Sequence, residues 1–287
     1  MADVKVGLMF ANSIFPDANA ADFGRAAEAS GFESVWTVEH VIFPENYGST
    51  YPYDKSGKMP ARPSSKIPDP LIWLSWVGAS TTTLRLGTGI VILPQRNPLV
   101  IAKELATLDH LSGGRVEFGI GVGWLREEFD ALGIPWERRG ARTDEYVAAM
   151  RTLWSGEMTS FDGEFVNFSN VASNPTPTNG TIPIVVGGHS RAAAERAGRL
   201  GDGFFPGKGD IAELSDIVRQ TAADHGRDPE AIEITFGSPG LFGDDPKGAM
   251  EELAAAGVSR TILPSLIFLG DAYADTLAEW SEKLGLG

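Results

Sequence analysis

The chain has 287 residues, of which 43% are hydrophobic and 22% are charged, and its formal net charge is −14. The acidic surface argues against a nucleic-acid partner because it repels phosphate, and the absence of cysteine excludes disulfides and thiolate–metal sites. No apolar stretch approaches the roughly 18 residues that predict a membrane span, and the N-terminus does not resemble a signal peptide. We therefore expect a soluble cytoplasmic enzyme or binding protein with no membrane partner.

Short β-rich runs alternate with longer helical stretches along the whole chain. The predicted strands are Val4–Phe10, Ser34–Val38, Leu84–Leu93, Val116–Gly121, Ile182–Gly187, Gly203–Pro206, Ile232–Ser238 and Thr261–Pro264. The predicted helices are Ala20–Ser30, Asp69–Ser80, Pro98–Leu111, Arg142–Trp154, Arg191–Leu200, Ile211–His225, Pro246–Ala256 and Asp271–Leu284. Most strands are continuous apolar runs, as expected for parallel strands that are buried on both faces.

The unbroken alternation favours a (β/α)8 TIM barrel over an open, doubly wound sheet, although the latter can also hold this many units. Barrels of this kind use about 250 residues as one domain, so we expect a single domain over residues 1–287. Two segments interrupt the rhythm. Ile42–Pro68, after the second strand, predicts a lid with Tyr47, Tyr51 and Tyr53 as candidate substrate contacts. Gly156–Thr181, before the fifth strand, contains an Asp-Gly turn that predicts a hairpin insertion.

Several motifs follow one another at the predicted strand ends. In chain order they are Gly31–Trp36 leading into Glu39-His40, Arg85–Ile90 followed by Leu93–Pro98, Thr107–Arg115, Gly119–Trp124, and Ile184–Ser190 followed by Gly201–Pro206. This succession resembles the luciferase-like monooxygenase family, and within it the branch that depends on coenzyme F420, a 5-deazaflavin. Each motif alone is weak, but their order spans essentially the whole chain.

The resemblance implies an oxidoreductase that transfers a hydride between coenzyme F420 and a small organic substrate. An alternative within the same family is an FMN-dependent two-component monooxygenase that receives reduced flavin from a partner reductase. A further alternative is a flavin-binding barrel without turnover. A homo-oligomer, a dimer, is also expected.

The predicted cofactor-binding residues lie at the carboxyl ends of strands, where barrel enzymes bind their ligands. They are Thr88, Gly89, Ile90, Gly121, Val186, Gly187, Gly188, His189, Ser190, Phe205 and Pro206. Glycines at such ends let a flat ring approach the backbone. The Gly-Gly-His-Ser turn opens a helix whose N-terminal amides favour phosphate, although a plain turn capped by Ser190 fits equally well. Both FMN and F420 carry a phosphate, so the turn does not separate them.

The resemblance also implies a cis peptide bond between Gly89 and Ile90, forming a bulge under the central ring of the cofactor. Without the family match, the sequence favours an ordinary trans bond, because cis bonds before residues other than proline are very rare.

Three residues are candidates for chemistry. His40 matches a histidine that lies beside the ring in the family, where an imidazole can bind the cofactor or act as an acid or base; elsewhere a lone histidine is more often structural. Glu39 is expected to orient His40 or to bind the ring. Trp124 stands where family members that oxidise glucose 6-phosphate carry a glutamate, which puts sugar-phosphate oxidation in doubt. An aromatic wall suits a flatter or more apolar substrate, with core packing as the alternative.

Metal binding is not expected, because the sequence has no His-x-His pair and no spaced His/Glu cluster. The anionic deazaflavin poses a difficulty for so acidic a chain. We expect a positive charge near the strand ends to offset this repulsion, and the candidates are Arg96, Arg191 and Lys208. Each can equally be an exposed solubilising side chain.

Overall fold

The computed structural model describes residues 4–14, 20–270 and 272–286. Its strands are β1 (Lys5–Met9), β2 (Ser34–Thr37), β3 (Arg85–Thr88), β4 (Val91–Ile92), β5 (Val116–Gly121), β6 (Thr159–Asp162), β7 (Asn167–Val171), β8 (Ile184–Gly187), β9 (Gly203–Phe205), β10 (Glu233–Ile234) and β11 (Arg260–Pro264). Its helices are α1 (Ala11–Ile14), α2 (Ala20–Ala29), α3 (Pro70–Gly78), α4 (Pro98–Ser112), α5 (Arg126–Ala131), α6 (Arg139–Leu153), α7 (Arg191–Leu200), α8 (Ile211–Asp224), α9 (Pro246–Ala255) and α10 (Tyr273–Leu284). The predicted start of the last helix, Asp271, lies outside the described residues.

Parallel strands close into a barrel. The hydrogen-bonded order is β10, β9, β8, β5, β3, β2, β1 and β11, and β4 also pairs with β5. The ends of this series meet where Thr235 and Arg260 form a parallel bridge. The amide of Phe236 donates to the Arg260 carbonyl at 3.0 Å beside it. The TIM-barrel prediction is therefore confirmed.

Two predicted strands are shorter or divided. The predicted third strand becomes β3 and β4, which pair with β5 separately, and Gly89 and Ile90 lie between them. The predicted seventh strand pairs as β10 over two residues only. The chain leaves the barrel after it, since Ser238 caps a short 3-10 turn that begins at Pro239.

Trp36 fills the centre of the barrel. Its indole is fully buried, and its Nε1 donates to Ser34 Oγ at 2.8 Å. A Cβ added to Gly87 would lie 2.5 Å from this ring, and one added to Gly7 would lie 2.5 Å from Ser34 Oγ. The neighbouring strands therefore need glycine here to accommodate a large side chain at ordinary packing density.

The amino end of the barrel holds an ion network around Arg260. Its buried guanidinium lies 2.8 Å from Glu33 Oε1, 2.8 Å from Glu117 Oε1 and 3.3 Å from Glu233 Oε2. Arg85 also pairs with Glu117. A cavity of about 290 Å³ lies among these side chains. Because these charges are paired with one another, they hold the amino ends of the strands together, and the strand ends at which barrel enzymes bind their ligands are those on the opposite side.

The two predicted interruptions are present. Residues 38–69, which we name the β2–α3 loop, contain neither helix nor strand. The insertion before β8 is an antiparallel hairpin of β6 and β7, in which Phe161 pairs with Phe168. Among the described helices, none is long and apolar enough to cross a membrane.

Candidate active site

Ile90 lies at the carboxyl end of the barrel, directly after the Gly89–Ile90 peptide bond, which is cis as predicted. A Cβ added to Gly121 would overlap Ile90 Cδ1, and one added to Gly187 would lie 2.7 Å from Ile90 Cγ2. We expected these two glycines to leave room for a flat ligand. The structure gives another reason for them, since they accommodate the Ile90 side chain.

Four other predicted cofactor residues are buried in the barrel wall. The Thr88 hydroxyl donates to a backbone carbonyl of β5 at 2.8 Å. Val186 is buried, and Phe205 packs edge-on against Trp36 with ring centroids 5.6 Å apart. Pro206 is buried directly after it. These residues build the wall beneath the strand ends, and their contact with a ligand remains a prediction.

His40 and Trp124, both candidates for chemistry, lie together. Their ring centroids are 5.9 Å apart, and Phe43 contacts His40 from a second direction at 5.8 Å, both in edge-on geometry. His40 Nδ1 lies 3.2 Å from Glu128 Oε2, and the two side chains are only 10% and 1% exposed. The structure therefore brings an imidazole from the end of β2 together with an indole and a buried carboxylate from beyond the end of β5.

Glu39 has other partners. Its buried carboxylate accepts a hydrogen bond from the Ile92 amide at 2.6 Å and is paired with Arg96. Arg96 also lies 2.9 Å from Asp69 Oδ2. Burial raises the pKa of Glu39 although Arg96 lowers it. Successive side chains of an extended segment point to opposite sides, which explains why Glu39 contacts the barrel wall while the next residue, His40, is contacted by Glu128.

Sequence reasoning missed Glu128. It lies in the first turn of α5, four residues after Trp124 in the same strand-end segment, and its partner His40 is 88 positions away. The available signal was a pair of acidic residues, Glu127 and Glu128, that begins three positions after the tryptophan of the Gly-x-Gly-Trp motif.

An aromatic row crosses the carboxyl end of the barrel. Trp124 contacts Tyr47 at 5.6 Å and Tyr51 at 5.1 Å between ring centroids. Tyr51 in turn contacts Tyr53 at 5.5 Å, and Tyr53 contacts His189 at 5.1 Å. The β2–α3 loop thus extends from the end of β2, past the end of β5, to the turn after β8.

Asn12 holds both ends of this loop. Its side-chain amide donates to the carbonyls of Val38 and Pro68 at 2.8 and 2.9 Å, and its Oδ1 accepts from the Val38 amide at 2.8 Å. Asn12 is fully buried, so these hydrogen bonds are shielded from water. Sequence reasoning also missed this residue.

The middle of the loop is held by Glu127. Its carboxylate accepts from the Gly48 amide at 2.6 Å, the Ser49 amide at 3.1 Å and the Ser49 hydroxyl at 2.7 Å. Slight burial raises the pKa of Glu127, but these hydrogen bonds outweigh it and lower the pKa to about 2. The carboxylate therefore stays ionised and bonded to the loop across the ordinary pH range.

The tip of the loop is held by Lys208, which donates to the Pro52 carbonyl. The other two predicted cations are also engaged. Arg96 pairs with Glu39 and Asp69, and Arg191 pairs with Glu195 while its side chain remains 77% exposed. Of the three, Arg191 alone stands at the start of α7, beside the predicted phosphate turn.

The turn from β8 to α7 has the geometry of an open helix N-terminus. Gly188 has a φ of +116°, and Ser190 Oγ accepts from the Ala193 amide at 3.2 Å as an N-cap. Within the described residues, the amides of Arg191 and Ala192 have no acceptor. His189 Nδ1 is buried without a hydrogen-bond partner in the same part of the chain. Burial, with Lys208 nearby, lowers the pKa of His189. The turn offers unpaired donors to an anion.

The fold is a TIM barrel, and the candidate site residues lie at its carboxyl end. The chain belongs to the luciferase-like monooxygenase family, whose family model matches residues 6–282. It is 32% identical over 259 residues to an uncharacterised protein of Mycobacterium tuberculosis, covering 80% of this chain and 91% of that protein.

Two characterised relatives use different cofactors. The F420-dependent glucose-6-phosphate dehydrogenase of Kineococcus radiotolerans is 32% identical over 257 residues, covering 86% of this chain and 71% of the relative. The FMNH2-dependent dimethylsulfone monooxygenase of Pseudomonas fluorescens is 32% identical over 206 residues, covering 69% of this chain and 51% of that protein. The family thus includes deazaflavin and flavin enzymes at similar distances from this chain.

The coenzyme F420-dependent tetrahydromethanopterin reductase of Methanopyrus kandleri superposes on 99% of this chain and 99% of its own, with a TM-score of 0.74 and 19% identity. At that identity the likeness shows a common fold and nothing finer.

Proposed function

We propose that this protein is an oxidoreductase that transfers a hydride between coenzyme F420 and a small organic substrate. The observation that carries the proposal is the grouping of His40, Trp124 and buried Glu128 at the carboxyl end of the barrel. An imidazole in this position can exchange a proton with a substrate oxygen while a hydride moves elsewhere.

The residues of this chain fit a phosphate-bearing, flat cofactor. The free amides of Arg191 and Ala192 and the unpaired Nδ1 of His189 would hold the phosphate, in keeping with anion binding at helix N-termini. When bound, the deazaflavin supplies the hydride chemistry. The protein positions its ring and covers it, and the β2–α3 loop is suited to excluding water there.

His40 would carry the proton of the reaction. In the oxidation of an alcohol, the imidazole accepts the hydroxyl proton as the hydride leaves the carbon, and in the reverse direction it returns that proton to the carbonyl oxygen. No carboxylate stands at position 124 to take this role. Trp124 gives the substrate an aromatic neighbour, which favours an uncharged organic molecule over a sugar phosphate.

The alternative proposal is an FMN-dependent monooxygenase fed by a partner reductase. The dimethylsulfone monooxygenase relative favours it, and the phosphate turn suits both cofactors. A further alternative is a flavin-binding barrel without turnover. Formation of a homodimer and binding of a partner reductase remain predictions, whichever of these three functions is correct.

Titration separates these proposals. Purified protein is titrated with F420 and with FMN, each followed by fluorescence, and the loaded protein is then tested with alcohols and carbonyl compounds. The main proposal expects tighter binding of F420 and substrate-dependent reduction of its absorbance. Preference for FMN, with oxygen consumed when reduced flavin is supplied, would support the monooxygenase. Tight binding with no turnover that His40→Ala alters would support the binding protein.

A further inference from the structure

The contact between His40 and Glu128 carries an inference about how the imidazole is prepared. We propose that Glu128 is a positioning residue that binds the protonated Nδ1 of neutral His40, which leaves Nε2 unprotonated and able to accept a proton. The inference deepens the proposed function and rests on it for the role of His40 in turnover. The pairing itself can be tested without any cofactor.

The hydrogen bonds of Glu128 determine which nitrogen carries the proton. Glu128 Oε1 accepts from the consecutive amides of Val41 and Ile42 at 2.7 and 3.2 Å. Its other oxygen, Oε2, faces His40 Nδ1 at 3.2 Å. A carboxylate has only acceptors to offer, so this second contact is attractive only when Nδ1 bears hydrogen. In the neutral ring Nε2 is then the acceptor.

The rings around His40 fix its orientation. Phe43 and Trp124 stand edge-on to the imidazole at 75° and 80° between ring planes, so they limit its rotation about the Cβ–Cγ bond. Within the described residues, Nε2 makes no hydrogen bond, in contrast to Nδ1. The nitrogen left without a partner is the one that our proposal assigns to the substrate.

Glu128 also joins His40 to the root of the β2–α3 loop. Its two amide contacts are to the residues that directly follow His40 in the chain. A carboxylate that orients an imidazole in this way acts through the tautomer, as outer partners of metal-bound and triad histidines do. The buried carboxylate of Glu128 therefore fixes both the orientation of the His40 ring and the backbone at the start of the β2–α3 loop.

The isosteric variant Glu128→Gln tests the tautomer. Its amide oxygen can still accept from Val41 and Ile42, which turns its NH2 group towards His40 Nδ1. That nitrogen must then accept, and the ring proton moves to Nε2. We expect long-range ¹H–¹⁵N spectra to show the Nδ1–H form of neutral His40 in the wild type and the Nε2–H form in Glu128→Gln. Loss of its signals in His40→Asn assigns them among the four histidines.

Glu127→Gln is the matched control. It changes a neighbouring carboxylate that binds the same loop but does not touch His40. We expect this variant to keep the Nδ1–H form and to alter KM more than kcat. In Glu128→Gln we expect kcat with F420 to fall on the order of 100-fold or more, with a smaller change in KM.

The readouts separate failure of this inference from failure of the proposed function. An Nε2–H tautomer in the wild type, or an unchanged tautomer in Glu128→Gln, overturns the positioning role. If the tautomer reverses as expected but wild-type protein shows no F420 turnover, the pairing stands and the proposed function falls. A reversed tautomer with unchanged kcat overturns the link between the pairing and catalysis.

Discussion

The ring centroids of Tyr53 and His189 lie 5.1 Å apart, so the tip of the β2–α3 loop covers the turn after β8 that is proposed to bind phosphate. The ends of the loop are held by buried Asn12. Among the described residues, its tip is tied to the rest of the barrel by the Lys208 hydrogen bond to Pro52 and by ring contacts. The tip is therefore the part of the loop that can move at least energetic cost.

Removing the Lys208 contact should release the tip. In Lys208→Met we expect faster hydrogen–deuterium exchange over residues 50–59, with little change in the β6–β7 hairpin. Lys103→Met is the control, because Lys103 is exposed on α4 and its side chain has no partner among the described residues. Equal exchange at the tip in both variants would mean that the ring contacts alone hold it.

His40→Ala should reduce turnover far more than stability. Loss of an acid–base group typically costs on the order of 100- to 10,000-fold in rate. The His40 ring is only 10% exposed, but it lies at a strand end outside the hydrophobic core, and without it Glu128 keeps its hydrogen bonds from Val41 and Ile42. Activity with F420 and the melting temperature are measured together. His225→Ala is the control, since His225 is exposed and, among the described residues, its ring is bonded to the Thr221 carbonyl alone. Full activity in His40→Ala would reduce His40 to a structural residue.

Gly188→Asp should weaken cofactor binding by charge repulsion. A carboxylate here would lie beside the proposed phosphate, and like charges at such distances repel even near a protein surface. Because Gly188 has a φ of +116°, any side chain strains the turn. Gly188→Asn carries the same strain without the charge. Fluorescence titration should give a clearly higher Kd for the Asp variant than for the Asn variant, and equal affinities would remove this turn from the site.

Glu28 should contribute pH-dependent stability. Partial burial raises its pKa, but hydrogen bonds from the amides of Thr82, Thr83 and Leu84 outweigh this and lower the pKa from 4.5 to about 2. A carboxylate with a depressed pKa stabilises the folded state above its unfolded pKa, and the contribution is lost as the pH falls towards the folded pKa.

Glu28→Gln should therefore lower the free energy of unfolding by about 1 to 2 kcal/mol at pH 7, after allowance for solvent screening. The difference from wild type should shrink as the pH falls from 4.5 to 2. Urea unfolding at several pH values measures it, with Glu213→Gln as a control on an exposed carboxylate at the start of α8. A difference that does not vary with pH would exclude the ionised carboxylate as its source.

Local sequence patterns predicted much of the fold and part of the candidate site. The glycine turn at Gly187-Gly188 and the cis bond after Gly89 were predicted because each depends on a few adjacent residues that match the family. His40 and Trp124 were predicted as candidates for the same reason. Their contact with each other depends on barrel closure, which the alternation of elements indicated.

The supporting residues could not be predicted in this way. Asn12 and Glu128 bind partners 26 and 88 positions away, and the sequence around each of them does not identify those partners. The sequence also did not show why residue 121 is glycine, because the Ile90 side chain that it accommodates lies in a distant part of the chain. Long-range pairs of this kind require the register of the barrel, which a single sequence does not specify.

The filled barrel interior affects the order in which ligands bind at the carboxyl end. Trp36 fills the middle of the barrel and the Arg260 network occupies its amino end, so the described residues leave the barrel interior filled. A cofactor and a substrate that both bind at the strand ends are then expected to enter from the carboxyl side, beneath the tyrosines of the β2–α3 loop. Two ligands that share this entrance must bind in turn, and the one that lies deeper enters first and leaves last. Steady-state kinetics should accordingly follow an ordered scheme with cofactor before substrate.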